Sequence, residues 1–459
     1  MRNLQFLIVA AAAIVAGCTA AGSRERQEFS RVDERRAASL ADAFRAARNN
    51  PEPAPVATAT GVVKLDSLVR EAELHSPRLL AAFNKWKAAV SGITASYALP
   101  DASFSYTYFI DSIETRLGPI EHRFMLEQMV PNPGKLVARE AAAAGNAQAM
   151  RANFEATRLG LRESLVVAYA ELQSLEERIK ITREMAAAVR DIESVVEARV
   201  TSALVPQSAL LRVQVEAERL ESDARALEKR RPALIAALEA VAGVDLPDRG
   251  TAEPFASSTR RPLPDKARLV AYVLGHPSVE LEFARQAIAS AKVDEAGWMW
   301  VPDLMFGVEY EVMVSSPSMP AAMSTKQAIA VKVGISVPWQ FHVNIARGDA
   351  ARAEEQAAKF MVQQQKLDMT ARLAMQEFAY EDAERLVELY EDTVLPKARQ
   401  TLELIRTDYT SDRATLTDVL DSERALLAAE LSLINARADL AKARARIESL
   451  VARDLETIK

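Results

Sequence analysis

Residues 303–315 read DLMFGVEYEVMVS, and the stretch sorts into two interleaved columns. Leu304, Phe306, Val308, Tyr310, Val312 and Val314 alternate with Asp303, Met305, Gly307, Glu309, Glu311 and Met313. Successive side chains of a β-strand point to opposite faces, so this period of two predicts a strand with one apolar and one acidic face. Such a strand fits either an ordinary half-buried antiparallel sheet or a boundary between lipid and water.

Three further stretches share the pattern. ASFSYTYFIDS from Ala102 puts Phe104, Tyr106, Tyr108 and Ile110 on one face, against Ser103, Ser105, Thr107 and Asp111. EHRFMLEQMV from Glu121 sets Phe124 and Leu126 against Glu121, Arg123 and Glu127, with His122 out of place on the apolar side. QAIAVKVGISV from Gln327 sets Ile329, Val331, Val333, Ile335 and Val337 against Ala330, Lys332, Gly334 and Ser336. Each run has about ten residues, the dimension of a transmembrane β-strand. Four strands cannot close a membrane barrel, and open edges are not tolerated in lipid. Several chains must then share one barrel, and three copies would supply twelve strands, an even number within the known range. On this reading Phe104, Tyr106, Tyr108, Phe306, Val308, Tyr310, Val331 and Val333 face lipid. Glu309, Glu311, Lys332, Glu127 and Arg123 face a water-filled lumen.

The remainder reads as helix. Leu161, Leu165, Tyr169 and Leu172 step by helical spacing, as do Met185, Val189, Ile192 and Val196. From Lys135 to Val200 there is no proline and only two glycines. A continuous helix of that length would reach roughly 100 Å at 1.5 Å per residue. Leu420, Leu427, Leu431, Ile434, Ala438, Ala441 and Ala445 form a second seam that narrows to alanine, which lets helix axes approach closely. Glycine is 15 of 459 residues, about half the usual share, which favours long helices over a loop-rich enzyme.

The chain also repeats itself. His75-Ser76-Pro77 recurs as Gly275-His276-Pro277, Leu99-Pro100-Asp101 as Val301-Pro302-Asp303, and Met129-Val130-Pro131 as Ser336-Val337-Pro338. Thr201-Ser202 with Leu210-Leu211 returns as Thr410-Ser411 with Val419-Leu420. The fold predicted is mainly α with transmembrane β, in two tandem repeats of helix, strand, strand, long helix and helix. The expected divisions are a signal segment over 1–17, a leader and linker over 18–62, and repeats over 63–250 and 251–459. Proline-rich linkers at 50–61 and 251–265 mark two of those boundaries.

Arg2, an apolar run from Leu4 to Ala16 and then Val15-Ala16-Gly17-Cys18 read as an export signal too short to count as a spanning helix. Its last four residues resemble the lipobox of bacterial lipoproteins, in which the cysteine is acylated. Cys18 is the only cysteine, so disulfides, cysteine zinc sites and a cysteine nucleophile elsewhere are excluded. A lipid on Cys18 is the sole prosthetic group expected. No later run is apolar enough for a helical span, and a net charge of −6 offers no basic field for nucleic acid. Histidines 75, 122, 276 and 342 form no zinc motif, and neither a nucleophile elbow nor a phosphate loop is present, so no catalytic or metal residue is assigned. His75 and His276, at equivalent repeat positions before a proline, suggest a structural role at helix ends. Met299, Met305, Met313, Met319 and Met323 cluster near the third strand and read chiefly as gap-fillers.

The repeated order of motifs, the lipobox, Gln128-Met129-Val130-Pro131-Asn132-Pro133-Gly134-Lys135-Leu136 and Asp418-Val419-Leu420-Asp421 together resemble the TolC-type outer-membrane efflux channels. The likeness covers residues 63–452. It implies a homotrimer with a twelve-stranded barrel in the outer membrane, lipid-anchored and continued by an α-helical barrel through the periplasm. It also implies a periplasmic adaptor and an inner-membrane pump of the resistance-nodulation-division type as partners, with small solutes or metal ions as cargo. The corner Pro131-Asn132-Pro133-Gly134-Lys135-Leu136 is reminiscent of the heavy-metal branch. Asp418 and Asp421, three apart on one helix face, would then narrow the periplasmic mouth, with six carboxylates about one axis. Without the resemblance they read as acids favoured at a helix start. Family members usually carry glycine where Asp412 stands, which leaves the turn before the gate open. The rival expectation is a lipid-anchored periplasmic coiled-coil adaptor or scaffold without a pore.

Overall fold

The structure, a computed structural model, describes residues 23–35, 38, 62–115, 118–246, 251–253, 255, 263–313 and 327–458. Cys18 with its signal segment, Val314, Met319 and Met323 lie outside the described residues. In chain order the elements are helix α1 (23–35), β1 (Val62–Val63), α2 (Leu65–His75), α3 (Pro77–Ser96), β2 (Ser103–Thr115), β3 (Gly118–Val130), α4 (Pro133–Thr201) and α5 (Gln207–Ala242). Then follow β4 (Thr251–Ala252), α6 (Lys266–Leu274), α7 (Pro277–Trp298), β5 (Leu304–Met313), β6 (Ala328–Ile335), α8 (Phe341–Glu388), α9 (Leu395–Thr410) and α10 (Leu416–Val451). The chain divides into two compact units, each drawing segments from both halves of the sequence.

The first unit comprises 1–34, 84–152 and 280–364 and holds a four-stranded antiparallel sheet in the order β2-β3-β5-β6. The first two strands are longer than the alternating pattern marks, at 13 residues each, and β2 bulges between Tyr108 and Ile113. At one end of the sheet three recurrent motifs converge on Asp303. Its carboxylate accepts from the Asn132 backbone N–H (2.9 Å) and from Lys135 Nζ (2.8 and 2.9 Å to its two oxygens). Its own N–H donates to Ser336 Oγ and its carbonyl accepts from the Ser336 N–H, both at 2.9 Å. The start of β5 is thereby fastened to the β3–α4 corner and to the end of β6. Gly134, in the first turn of α4, lies under the indole of Trp298, whose ring occupies the place a Cβ would take.

In the second unit, 35–83, 153–279 and 365–459, helices pack along apolar seams. Met185, Val189 and Val196 of α4 bury against Val213 and Leu220 of α5, Leu402 of α9 and Leu420 and Leu433 of α10. Leu269 and Val273 of α6, with Met369, Leu373, Ile447 and Val451, form another core. α4, without a proline after its first residue, runs unbroken for 69 residues, whereas its counterpart is interrupted by a π-helical stretch at Leu389–Val394. Pro396 explains the difference, because a proline lacks the N–H and crowds the preceding turn of an α-helix. The 251–265 stretch, read as linker, contains β4, which pairs in parallel with β1. Tyr169 clasps the pair: its hydroxyl donates to the Val63 carbonyl (2.7 Å) and accepts from the Glu253 N–H (2.9 Å). His276 is buried, with its pKa pushed down to about 4 chiefly by burial, consistent with a neutral structural role at the start of α7.

Gly134→Ala should destabilise the protein by about 1–3 kcal/mol through overpacking against Trp298. Thermal unfolding of Gly134→Ala in a Trp298→Ala background checks the cause. There the alanine should be neutral or stabilising, and an equal loss in both backgrounds would remove the steric explanation.

Candidate functional site

Pairing across the four strands sorts their side chains onto two faces. On the first, Phe104 pairs with Leu126, Tyr106 with Phe124, Leu126 with Val308, Phe124 with Tyr310, Phe306 with Val333 and Val308 with Val331. All eight residues expected against lipid therefore share this face, and they are strongly exposed at its edges, with Phe104 at 67% and Val331 at 71%. A tilted aromatic run crosses it, from Tyr106 to Phe124 (5.0 Å between centroids) and on to Tyr310 (6.3 Å). His122, the misfit of the pattern, is accommodated there by a hydrogen bond between its Nδ1 and the Tyr106 hydroxyl (3.0 Å).

The opposite face gathers Arg123, Glu127, Glu309, Glu311 and Lys332. Read along β5 alone the face is acidic, but the register sets basic side chains beside the acids. Arg123 lies directly opposite Glu311 and diagonal to Glu309, and its guanidinium reaches both carboxylates, at 2.7 and 2.6 Å. From the other side Lys332 Nζ meets the second oxygen of Glu309 at 2.7 Å and the Met125 sulfur at 3.2 Å. Only 8% of the Glu309 side chain remains exposed. Phe109, which the alternating pattern leaves without a role, lies beneath the Arg123 guanidinium at 5.2 Å and supplies a cation–π contact. Glu127 faces Gly307, which leaves room for its side chain. The face is thus largely paired, with three acids against two bases.

Two helical turns at the far end of the α4–α5 and α9–α10 hairpins carry the other candidate residues. Both close through a residue in the left-handed region, Ala203 (φ 54°) and Asp412 (φ 56°). In each, the following N–H reaches back to a carbonyl five residues earlier: Leu204 to Arg199 (2.9 Å) and Arg413 to Asp408 (2.8 Å). Asp412 thus adopts the conformation glycine favours, at a modest strain that aspartate tolerates better than most side chains. Arg199 reinforces it, with a hydrogen bond to Asp412 Oδ1 (2.8 Å) and its guanidinium 4.8 Å above the Tyr409 ring.

Asp418 and Asp421 follow on the exposed side of α10 and are tied to different partners. Asp418 completes a capping box: its carboxylate accepts from the Thr415 N–H (2.8 Å) and hydroxyl (2.7 Å), while the Thr415 hydroxyl accepts from the Asp418 N–H. Asp421 accepts from Arg424 (3.1 Å), which is also held bidentately by the buried Glu216 at 3.0 and 2.7 Å. Thr415 holds the Asp418 carboxyl below its ordinary range, and Arg424 does the same for Glu216. With both folded pKa values depressed, these contacts stabilise the fold above the ordinary carboxylate range and fade as pH falls through it. Pattern reading missed Arg199, Glu216 and Arg424, since their pairing is a product of tertiary packing.

Among the described residues no helix is long and apolar enough to cross a membrane, and no group of three or more His, Cys, Asp or Glu side chains is placed to hold a metal ion. Residues 275–453 match the family described as outer membrane efflux protein. No curated protein sequence matches the chain. Its fold is similar to that of VceC, an outer membrane protein from Vibrio cholerae, with a TM-score of 0.72 and 20% identity over 85% of this chain and 96% of that one. OprN, an outer-membrane channel, matches with a TM-score of 0.72 and 17% identity, covering 85% and 90%. CmeC, the outer membrane channel of Campylobacter jejuni, matches at 0.71 with 14% identity, covering 84% and 85%.

Removing Arg123 leaves Glu309 and Glu311 beside each other with one cation between them. Arg123→Gln should destabilise by about 1–3 kcal/mol, and pairing it with Glu309→Gln should recover more than about 0.5 kcal/mol of that loss. A double-mutant cycle on chemical unfolding measures the coupling, and strict additivity would mean the contact carries no energy.

Proposed function

We propose that this chain, whose residues 275–453 match the outer membrane efflux protein family, is a member of it and the outer-membrane exit duct of a tripartite efflux system. Members of that family are channels, not enzymes. The observation that carries the reading is the sheet: four strands, one apolar face exposed along its length, the other charged, and both outer strands, β2 and β6, without a further partner strand among the described residues. Unpaired backbone groups cannot be left in lipid, so the edges must be met by further copies of the chain. Three copies make a closed barrel of about twelve strands. The helices then continue the duct into the periplasm, where an adaptor connects it to an inner-membrane pump of the resistance-nodulation-division type.

On this reading the apolar face meets lipid and the Arg123–Glu309–Lys332 face lines the lumen. Cys18 carries the lipid anchor, and the cargo is a small solute or a metal ion. A pore-free scaffold would have no use for two strand pairs with continuous exposed apolar columns. Asp418 and Asp421, exposed at the hairpin tip, are assigned to the constriction. Asp418 also caps its helix, so it is better tested by asparagine than by alanine.

The full-length protein extracted in detergent should run as a trimer and form pores in planar bilayers, and a monodisperse monomer without conductance would sink the duct. Val308→Arg should impair assembly, since a cation on the lipid face costs about 2–4 kcal/mol near the midplane. Equal tolerance of substitution at Val308 and Glu309 would mean the two faces are misassigned. At the tip, Asp418→Asn with Asp421→Asn should raise single-channel current and weaken block by multivalent cations from the periplasmic side. Unchanged block would leave these two as helix-start acids alone.

A further inference from the structure

The apolar column of β6 does not stop with the strand. Ile329, Val331, Val333, Ile335 and Val337 are followed at the same spacing by Trp339 and Phe341, and all seven are exposed, Trp339 most of all at 73%. Phe341 is stacked on Trp300, with ring centroids 6.0 Å apart and planes 21° from parallel. Tryptophan and other aromatic rings gather where hydrocarbon gives way to headgroups, so the column marks its own end of the membrane.

Just past these rings lies an open pocket of about 300 Å³, lined by Lys135, Arg139, Trp339, Gln340, Asn344 and Arg347. Two of its three cations are occupied: Lys135 by Asp303 at 2.8 Å and Arg139 by Glu295 at 2.8 Å. Arg347 has no carboxylate within ion-pair distance among the described residues, and its one polar contact is a long approach to the Met299 sulfur, 3.9 Å. Six residues of helix separate Arg347 from Phe341, about 9 Å of rise. For an upright helix this sets Arg347 near the outer limit of the headgroup layer, which extends roughly 5–8 Å beyond the hydrocarbon core. A guanidinium is the side chain best shaped to take a phosphate with two hydrogen bonds.

We propose that this pocket binds the phosphate of a periplasmic-leaflet phospholipid, with Arg347 as the phosphate ligand and Trp339 lying along the glycerol and upper acyl chain. The site rests on the outer-membrane reading of the sheet and adds a specific lipid to it. Lys135 and Arg139 are neutralised by Asp303 and by Glu295, itself part of the lining, so the net positive charge of the pocket is that of Arg347. Val337 and Trp339 of the apolar column form one wall of the pocket, so a lipid seated there would lie against that column.

Native mass spectrometry of the purified full-length protein, titrated with palmitoyl-oleoyl phosphatidylglycerol, tests the site. The parent should retain the lipid through detergent exchange, and Arg347→Gln should weaken retention by about tenfold or more, the loss of a charge-assisted hydrogen bond. Inorganic phosphate in excess should fail to displace it. Equal retention by Arg347→Gln overturns the proposal, and displacement by inorganic phosphate would make this a simple anion site and overturn it as well. If Arg347→Gln does not assemble, Arg347→Lys, which keeps the charge but loses the fork, should also retain less lipid, and parental retention there counts against the site. A conducting parent whose variants keep the lipid loses only this site, whereas a parent that forms no pores loses the duct and the site together.

Discussion

Asp303 is the point on which the sheet is registered. It stands at the start of β5, and two other segments, the corner after β3 and the end of β6, reach it by hydrogen bonds of 2.8–2.9 Å. A carboxylate this sheltered is costly unless its oxygens are occupied, and here Lys135 touches both. Its geometry also admits no slip. Moving β5 by one residue would turn every apolar side chain to the charged face, because the strand period is two. Alternation sets the two faces of each strand, and the Asp303 contacts help hold the strands in the register that aligns them.

Once register is set, the electrostatics follow. Glu309 and Glu311 come within reach of Arg123, and Lys332 closes on Glu309 from β6, so acids and bases balance at that level. Charges paired in this way project little net field. The hairpin tips follow a different plan. There Asp418 and Asp421 stay at the surface while their hydrogen bonds point back into their own helix and to Arg424. The acids of the sheet are neutralised by neighbouring strands, and those of the tip are held by local partners that leave them facing outward.

Much of this could be read from the chain. The two-column strands and the unbroken α4 are local patterns, and the two faces of the sheet came from alternation alone. Register was not legible, since it depends on the Asp303 contacts between segments far apart in sequence, and with it went the pairing of Arg123 and Lys332. The β1–β4 pair is two residues long on each side, too short for any periodicity to announce it. Pro396 carried a signal for the break in the second long helix, which periodicity alone did not draw on. Asp412 was legible in the opposite sense: a position where glycine is expected proved to need a left-handed backbone, and the aspartate supplies one.

The order β2-β3-β5-β6 also has a meaning in time. The hairpin β2–β3 is complete once residue 130 has been made, yet its inner partner β5 lies roughly 180 residues further along the chain, and such distant pairings are slow to form. In the interval α4 and α5 can form as a local helical hairpin, on the microsecond scale of such elements. The β3 edge meanwhile stands open beside an apolar face, the combination most prone to pairing with a stranger. On sequence separation alone the helical hairpin is expected before the sheet, whose β3–β5 pairing is the slow and exposed step.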